Sequence, residues 1–142
     1  MSDQVLASKT AMIEHCLRRA REEYEKDPTT FLDDITRRDA ATLNVLRAWE
    51  AAVEMGDYVI GSYGLGEPED EGHVFTLLRE HGWIGDTLAH DLVRVGEFCR
   101  AEWDYQAAPL PALVTIVKRG LDDVEAFAQA LLTRESNRPP VP

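Results

Sequence analysis

Four histidines, His15, His73, His81 and His90, are the side chains of this 142-residue chain best suited to move a proton near neutral pH. None stands three or four residues from another, so no helix face carries a metal-ligand pair among them. His15 adjoins Cys16, but neighbouring side chains do not face each other on a helix. The serines (Ser2, Ser8, Ser62, Ser136) lie outside any nucleophile-elbow sequence. Gly64-Leu65-Gly66 lacks the lysine and helix signal of a phosphate loop. Neither a metal nor a cofactor is expected.

Arginine offers a second kind of chemistry: a planar, permanently charged fork that suits phosphate. An arginine followed by a histidine after four to six intervening residues would combine phosphate binding with proton transfer, as metal-independent RNA cleavage requires. The chain contains no such pair. His90 lies eleven residues beyond Arg79, and no histidine follows it.

The elements that would position these residues read as helices. Val5, Met12, Ile13, Cys16, Leu17, Ala20 and Tyr24 recur at three- and four-residue steps, which predicts a helix over 2–26 that Asp27-Pro28 ends. Phe31 and Leu32 are expected to anchor a short turn. A second helix should start near Thr36, as cap, with Asp39 three residues on, and run to about Ser62. Its polar members Arg47, Glu50, Glu54 and Asp57 share one narrow arc. The apolar remainder is wider than one core stripe, so this helix is either central or also covered by a second subunit. Asn44 and Arg47 on it are expected to hydrogen-bond across the bundle or dimer.

Gly64, Gly66 and Pro68 break the chain before a short helix over about 70–80. A fourth helix follows Trp83-Ile84, with Asp86 or Thr87 as cap, and carries Leu88, Leu92, Val95, Cys99 and Trp103 on one arc. Trp103 is read as packed. Pro109 and Pro111 open a fifth helix that buries Leu113, Val117, Leu121, Val124, Ala128, Leu131 and Leu132. Nothing alternates with period two, so no sheet is expected. The fold class is all-α, an antiparallel four- to five-helix bundle, with one domain over 1–135 and a disordered tail over 136–142.

The net charge of −11 repels phosphate backbones and argues against non-specific nucleic-acid binding. The basic clusters Arg18, Arg19, Arg21 and Arg37, Arg38 read as solvated helix faces. Cys16 and Cys99 sit among apolar neighbours and are expected to be buried free thiols. With no signal-peptide pattern and no apolar run of membrane-spanning length, the expectation is a soluble cytoplasmic protein without membrane contact.

Several segments in order resemble one family. RDAATLNVLRAWEAA is similar to the long central helix of the HepT-like branch of HEPN proteins. GLGEPEDEGHVFTLLREHGWI is similar to the family's connection of Gly-rich turn, proline, short Phe-Leu-Leu helix and Gly. Thr87 to Glu97, Tyr105, Leu121-Asp122-Asp123 and Phe127 continue the match, which covers about residues 8–132. The resemblance implies a homodimeric helical bundle, a ribonuclease toxin, and a minimal nucleotidyltransferase antitoxin as partner, which transfers AMP to a motif tyrosine.

That motif is Arg-Asn-x-x-Val-His-x-Tyr. Laid on Gly96 to Tyr105, GEFCRAEWDY, it keeps the tyrosine as Tyr105 and puts Phe98 at the arginine and Trp103 at the histidine. Arg100 stands two residues from the expected arginine, a turn of about 200° on a helix. No intact catalytic set is present; Arg100 and Tyr105 are the weak candidates, and Tyr105 is the candidate modification site. Tyr105 also reads as a packed ring at a helix end with its hydroxyl in water. Two functions remain. The favoured one is a dimeric binding module of a toxin–antitoxin pair, engaging the nucleotidyltransferase. The other is an active ribonuclease with a displaced site, neutralised by AMP transfer.

Overall fold

A computed structural model describes residues 2–104 and 109–137 of the chain. They form α1 (Ser2–Glu25), a 3₁₀ turn (Phe31–Asp33), α2 (Ile35–Tyr63), α3 (Glu71–Glu80), α4 (Asp86–Trp103), α5 (Leu110–Thr115), a π-helical turn (Ile116–Gly120) and α6 (Leu121–Ser136). No strand occurs among the described residues. The architecture is the expected antiparallel helical bundle. No described helix is long and apolar enough to cross a membrane.

Helix α2 is the central element. It packs along α1, α3, α4 and α6, and α6 also lies against α1. That neighbourhood accounts for its wide apolar arc: Ala41, Val45, Ala48, Trp49, Ala52, Met55, Val59 and Ile60 are all buried. Gly56 lets α3 approach, because a Cβ there would sit 2.4 Å from Val74 Cγ1. The core continues through Phe75, Leu78, Leu92, Val95, Phe127 and Leu131.

The junction of α1 and α2 is fixed by one side chain. The last carbonyls of a helix have no partner within it. Arg37 supplies one from the next helix. Its guanidinium donates to the Glu23, Tyr24 and Asp27 carbonyls at 2.7, 3.3 and 2.9 Å. It also lies 5.6 Å from the Phe31 ring centre. Arg38 donates to the Leu32 carbonyl at 2.8 Å. These two arginines are therefore structural caps and not a solvated face.

Several local expectations are corrected. Asp34, not Thr36, caps α2: its backbone is extended and its carboxylate accepts the Arg37 N–H at 3.1 Å. Neither Asp86 nor Thr87 caps α4; Gly85 precedes the helix without a side-chain cap, and Asp86 instead pairs with Arg79 of α3 at 3.6 Å. Asn44 is buried but donates to the Ala40 carbonyl of its own helix at 2.8 Å, and Arg47 is exposed. Among the described residues no bond runs from either side chain across the bundle; the Asn44 amide bonds back to its own helix instead.

The fifth expected helix is interrupted by the π turn. Arg21 of α1 donates to the Val117 carbonyl at 3.3 Å and to Asp122 at 2.6 Å, which satisfies a group the widened turn presents. Gly120 sits where a Cβ would meet Val95 Cγ2 at 3.2 Å. The last helix runs to Ser136, so the proposed tail begins within it, and residues 138–142 lie outside the described residues.

Candidate functional site

A groove with a volume of about 650 Å³ lies between the N-terminus of α3 and the C-terminal half of α4, over α2. Trp49 of α2 forms its floor, stacked on Phe75 of α3 with ring centres 4.9 Å apart and planes 27° from parallel. Phe75 in turn meets Phe127 of α6 edge-on at 5.0 Å, which fixes the floor to the core. Gly96 makes room for the indole: a Cβ there would stand 2.9 Å from Trp49 Cζ2. The indole N–H donates to Glu71 Oε1 at 3.1 Å, so the ring is held on both its face and its edge.

Carboxylates dominate the walls. Asp70, Glu71, Glu97 and Asp104 line the groove, against one cation, Arg100. No ion pair among the described residues involves any of these five. Asp70 caps α3 by accepting the His73 N–H at 2.8 Å, and His73 Nδ1 accepts the Glu69 N–H at 2.9 Å. The Glu71 charge is felt on both sides. Burial pushes the Cys99 thiol far above its usual range, and Glu71 and Glu102 add to it. Burial also raises the Asp57 carboxyl, helped by Glu71 and Glu54.

The residues singled out from sequence fall unevenly around this groove. Arg100 is exposed and lines it, on the last turns of α4. Phe98 is buried, so a side chain at that position points into the core and not at a ligand. Trp103 is 63% exposed and lines the groove, which overturns its reading as a packed residue. It does follow the arc of Leu92, Val95 and Cys99, but α4 continues one turn past Cys99, its last core residue, and the ring is left at the rim. Tyr105, the candidate acceptor, lies outside the described residues, so its two readings are not separated by geometry. Cys16 and Cys99 are buried free thiols, as expected. His15, His81 and His90 are exposed and scattered over α1, the end of α3 and α4, with no shared site. The Trp49–Glu71 pair went unread in the sequence; its one visible signal was the acidic run before α3.

Comparison with known proteins agrees with the helical fold. The family model described as ribonuclease HepT-like matches residues 13–131. The chain belongs to the HepT-like family. An mRNA nuclease HepT of Shewanella oneidensis is 30% identical over 130 residues, covering 91% of this chain and 97% of that protein. Among solved structures, a tri-AMPylated HEPN toxin of the same organism in complex with an MNT antitoxin superposes with a TM-score of 0.84 at 28% identity, over 89% of this chain and 96% of that one. A toxin–antitoxin crystallised with AMP-PNP gives 0.85 at 27% identity, over 90% and 97%. In this HepT-like chain Phe98 is buried and Trp103 exposed, beside a groove whose described lining holds more carboxylates than cations.

Proposed function

We propose that this HepT-like protein is one member of a bacterial toxin–antitoxin pair and works as a dimeric binding module for a minimal nucleotidyltransferase, without ribonuclease activity. The similar solved structures, which are toxins held with an antitoxin, support the pairing. One observation carries the loss of cleavage. The groove beside the motif segment holds four carboxylates and one exposed arginine, with Trp103 where the family has histidine. A phosphate backbone is repelled there, and among the described residues no histidine lines the groove. Tyrosine is a poor base at pH 7, with its pKa near 10. Loss of a positioned acid–base group slows such a reaction by about 10²–10⁴-fold.

This reading assigns no catalytic set, with Arg100 and Tyr105 as the residues an active enzyme would have to use, and Tyr105 as the AMP acceptor. The purified protein is incubated with total RNA and with transfer RNA, beside Tyr105→Phe and Arg100→Ala versions. No cleavage is expected from any of them. Cleavage by the unaltered protein that disappears in either variant would establish the alternative, a ribonuclease with a displaced site. Incubation with the nucleotidyltransferase and ATP should add adenylate mass to the protein and not to Tyr105→Phe. Light scattering should give about twice the 16.0 kDa chain mass.

A further inference from the structure

The segment 64–82, which carries α3, leaves the bundle and returns to it at one point. Tyr63 ends α2 and Trp83 follows α3, and their rings meet edge-on with centres 4.8 Å apart. Both joints turn on left-handed glycines, Gly64 at φ 63° and Gly82 at φ 74°, so each helix stops abruptly beside this contact. The next N–H closes each helix end: Leu65 donates to the Ile60 carbonyl at 3.0 Å, and Trp83 to the Leu78 carbonyl at 2.9 Å.

The last turn of α6 grips this neck on both sides. Arg134 lays its guanidinium over the Trp83 ring, 4.2 Å from the centre, and donates to the Gly82 carbonyl at 2.9 Å. Glu135 is buried and accepts the Tyr63 hydroxyl. Two consecutive side chains thus hold the entry to the α3 segment and its exit.

We infer that α3 and its joints form a flap that opens as a unit of its own, and that the last turn of α6 is the strap that holds it shut. Proteins open in cooperative pieces at less cost than unfolding whole. A ten-residue helix is marginal at best by itself, so α3 keeps its hydrogen bonds only while Val74, Phe75 and Leu78 are seated on the core. Lifting α3 drags Gly82 and Trp83 with it, so the Arg134 contacts must break. Opening also frees Trp49, which Glu71 and Phe75 of α3 hold by edge and face. The inference goes beyond the binding-module reading and does not depend on it.

Amide hydrogen exchange of the full chain, with and without a little urea, tests it. Amides over 74–80 should exchange together, at least about tenfold faster than those over 45–55 in the middle of α2, and faster still as urea is added. Arg134→Ala removes the cation over the indole and the donor to Gly82, and should speed α3 exchange at least about fivefold. Arg134→Lys keeps a cation but not the planar fork, and should fall between the two. Arg18→Ala, the same charge loss at an exposed position away from the neck, should change rates by no more than about twofold. Circular dichroism shows which variants are folded; should Arg134→Ala not be, the unaltered profile and Arg134→Lys decide.

Three results would overturn the inference. Exchange over 74–80 as slow as in α2 would mean that α3 opens only when the whole bundle unfolds. Fast α3 exchange that ignores urea would mean fraying of single bonds and no flap. Faster exchange in the last turn of α6 alone, with α3 unchanged by either Arg134 variant, would mean that this turn straps nothing.

Discussion

The indole N–H of Trp49 and the carboxylate of Glu71 meet at 3.1 Å, which ties the central helix to the first turn of α3 at the groove floor. Trp49 is only 3% exposed, so its N–H has little access to water if that acceptor is removed. Leaving a buried donor unpaired costs about 1–3 kcal/mol. Glu71→Ala should lower stability by about 1–2 kcal/mol in denaturant unfolding, allowing for some water entry at the exposed Glu71. Glu71→Gln keeps an acceptor oxygen and should lose less than half of that. Equal losses in the two variants would show that charge, and not the hydrogen bond, links these residues.

Putting the family's histidine back should not restore chemistry. Trp103→His places an imidazole at an exposed rim, where it can titrate freely. Phe98, at the position the family resemblance assigns to arginine, stays buried in the core, and the groove keeps its carboxylates. Transfer RNA incubated with Trp103→His should remain intact beyond the level seen with unaltered protein. Phe98→Arg, the other half of the repair, buries an unpaired charge and should cost at least about 3 kcal/mol, read as a loss of helical signal at lower denaturant.

The fold was legible because helix period and breakers agree along most of this chain. Asp27-Pro28, Gly64 and the glycine at 82 stop helices where expected, and the apolar positions of α2 and α6 recur at three and four residues. The site was less legible, for two physical reasons. Periodicity places Trp103 on the core arc but says nothing of where the covering helices end, and α4 outruns them. Likewise the charge of Glu69-Asp70-Glu71 is plain in the sequence, while the Trp49 N–H that Glu71 accepts, and Glu97 across the groove, are distant in sequence. Arg37 shows the same limit, since its acceptors are backbone carbonyls that no residue type announces.

Gly56 tests how closely α2 and α3 must approach. An added Cβ would fall 2.4 Å from Val74 Cγ1 and 3.3 Å from Leu78 Cδ1, with Phe127 behind them at 3.6 Å. Alanine gains about 1 kcal/mol of helix propensity over glycine. Overpacking of a filled core costs about 1–3 kcal/mol, and behind these neighbours Phe127 is held edge-on by Phe75. Gly56→Ala should therefore be net destabilising by about 1 kcal/mol. Gly61→Ala, with nothing within 4 Å of its Cβ, should be neutral or stabilising. Thermal unfolding of the pair decides it; a more stable Gly56→Ala would mean that α3 yields freely.

Cys99 predicts how the bundle responds to alkali. The thiol is 1% exposed, and burial, reinforced by Glu71 and Glu102, holds it protonated in the folded chain far above the usual thiol range. In the unfolded chain it ionises near pH 8.5. A group whose folded pKa is raised contributes stability that is complete below the unfolded value and is lost as pH rises above it, because the unfolded state then holds fewer protons. Stability should thus fall steadily as pH rises above about 8.5. Cys99→Ala should be less stable than the parent at pH 7, through the small cavity it leaves, yet decline less over that range. A thiol reagent should modify Cys99 slowly in the native protein and at once in denaturant. Fast native labelling would show that the core around Cys99 opens to solvent, and the alkaline loss would then have another origin.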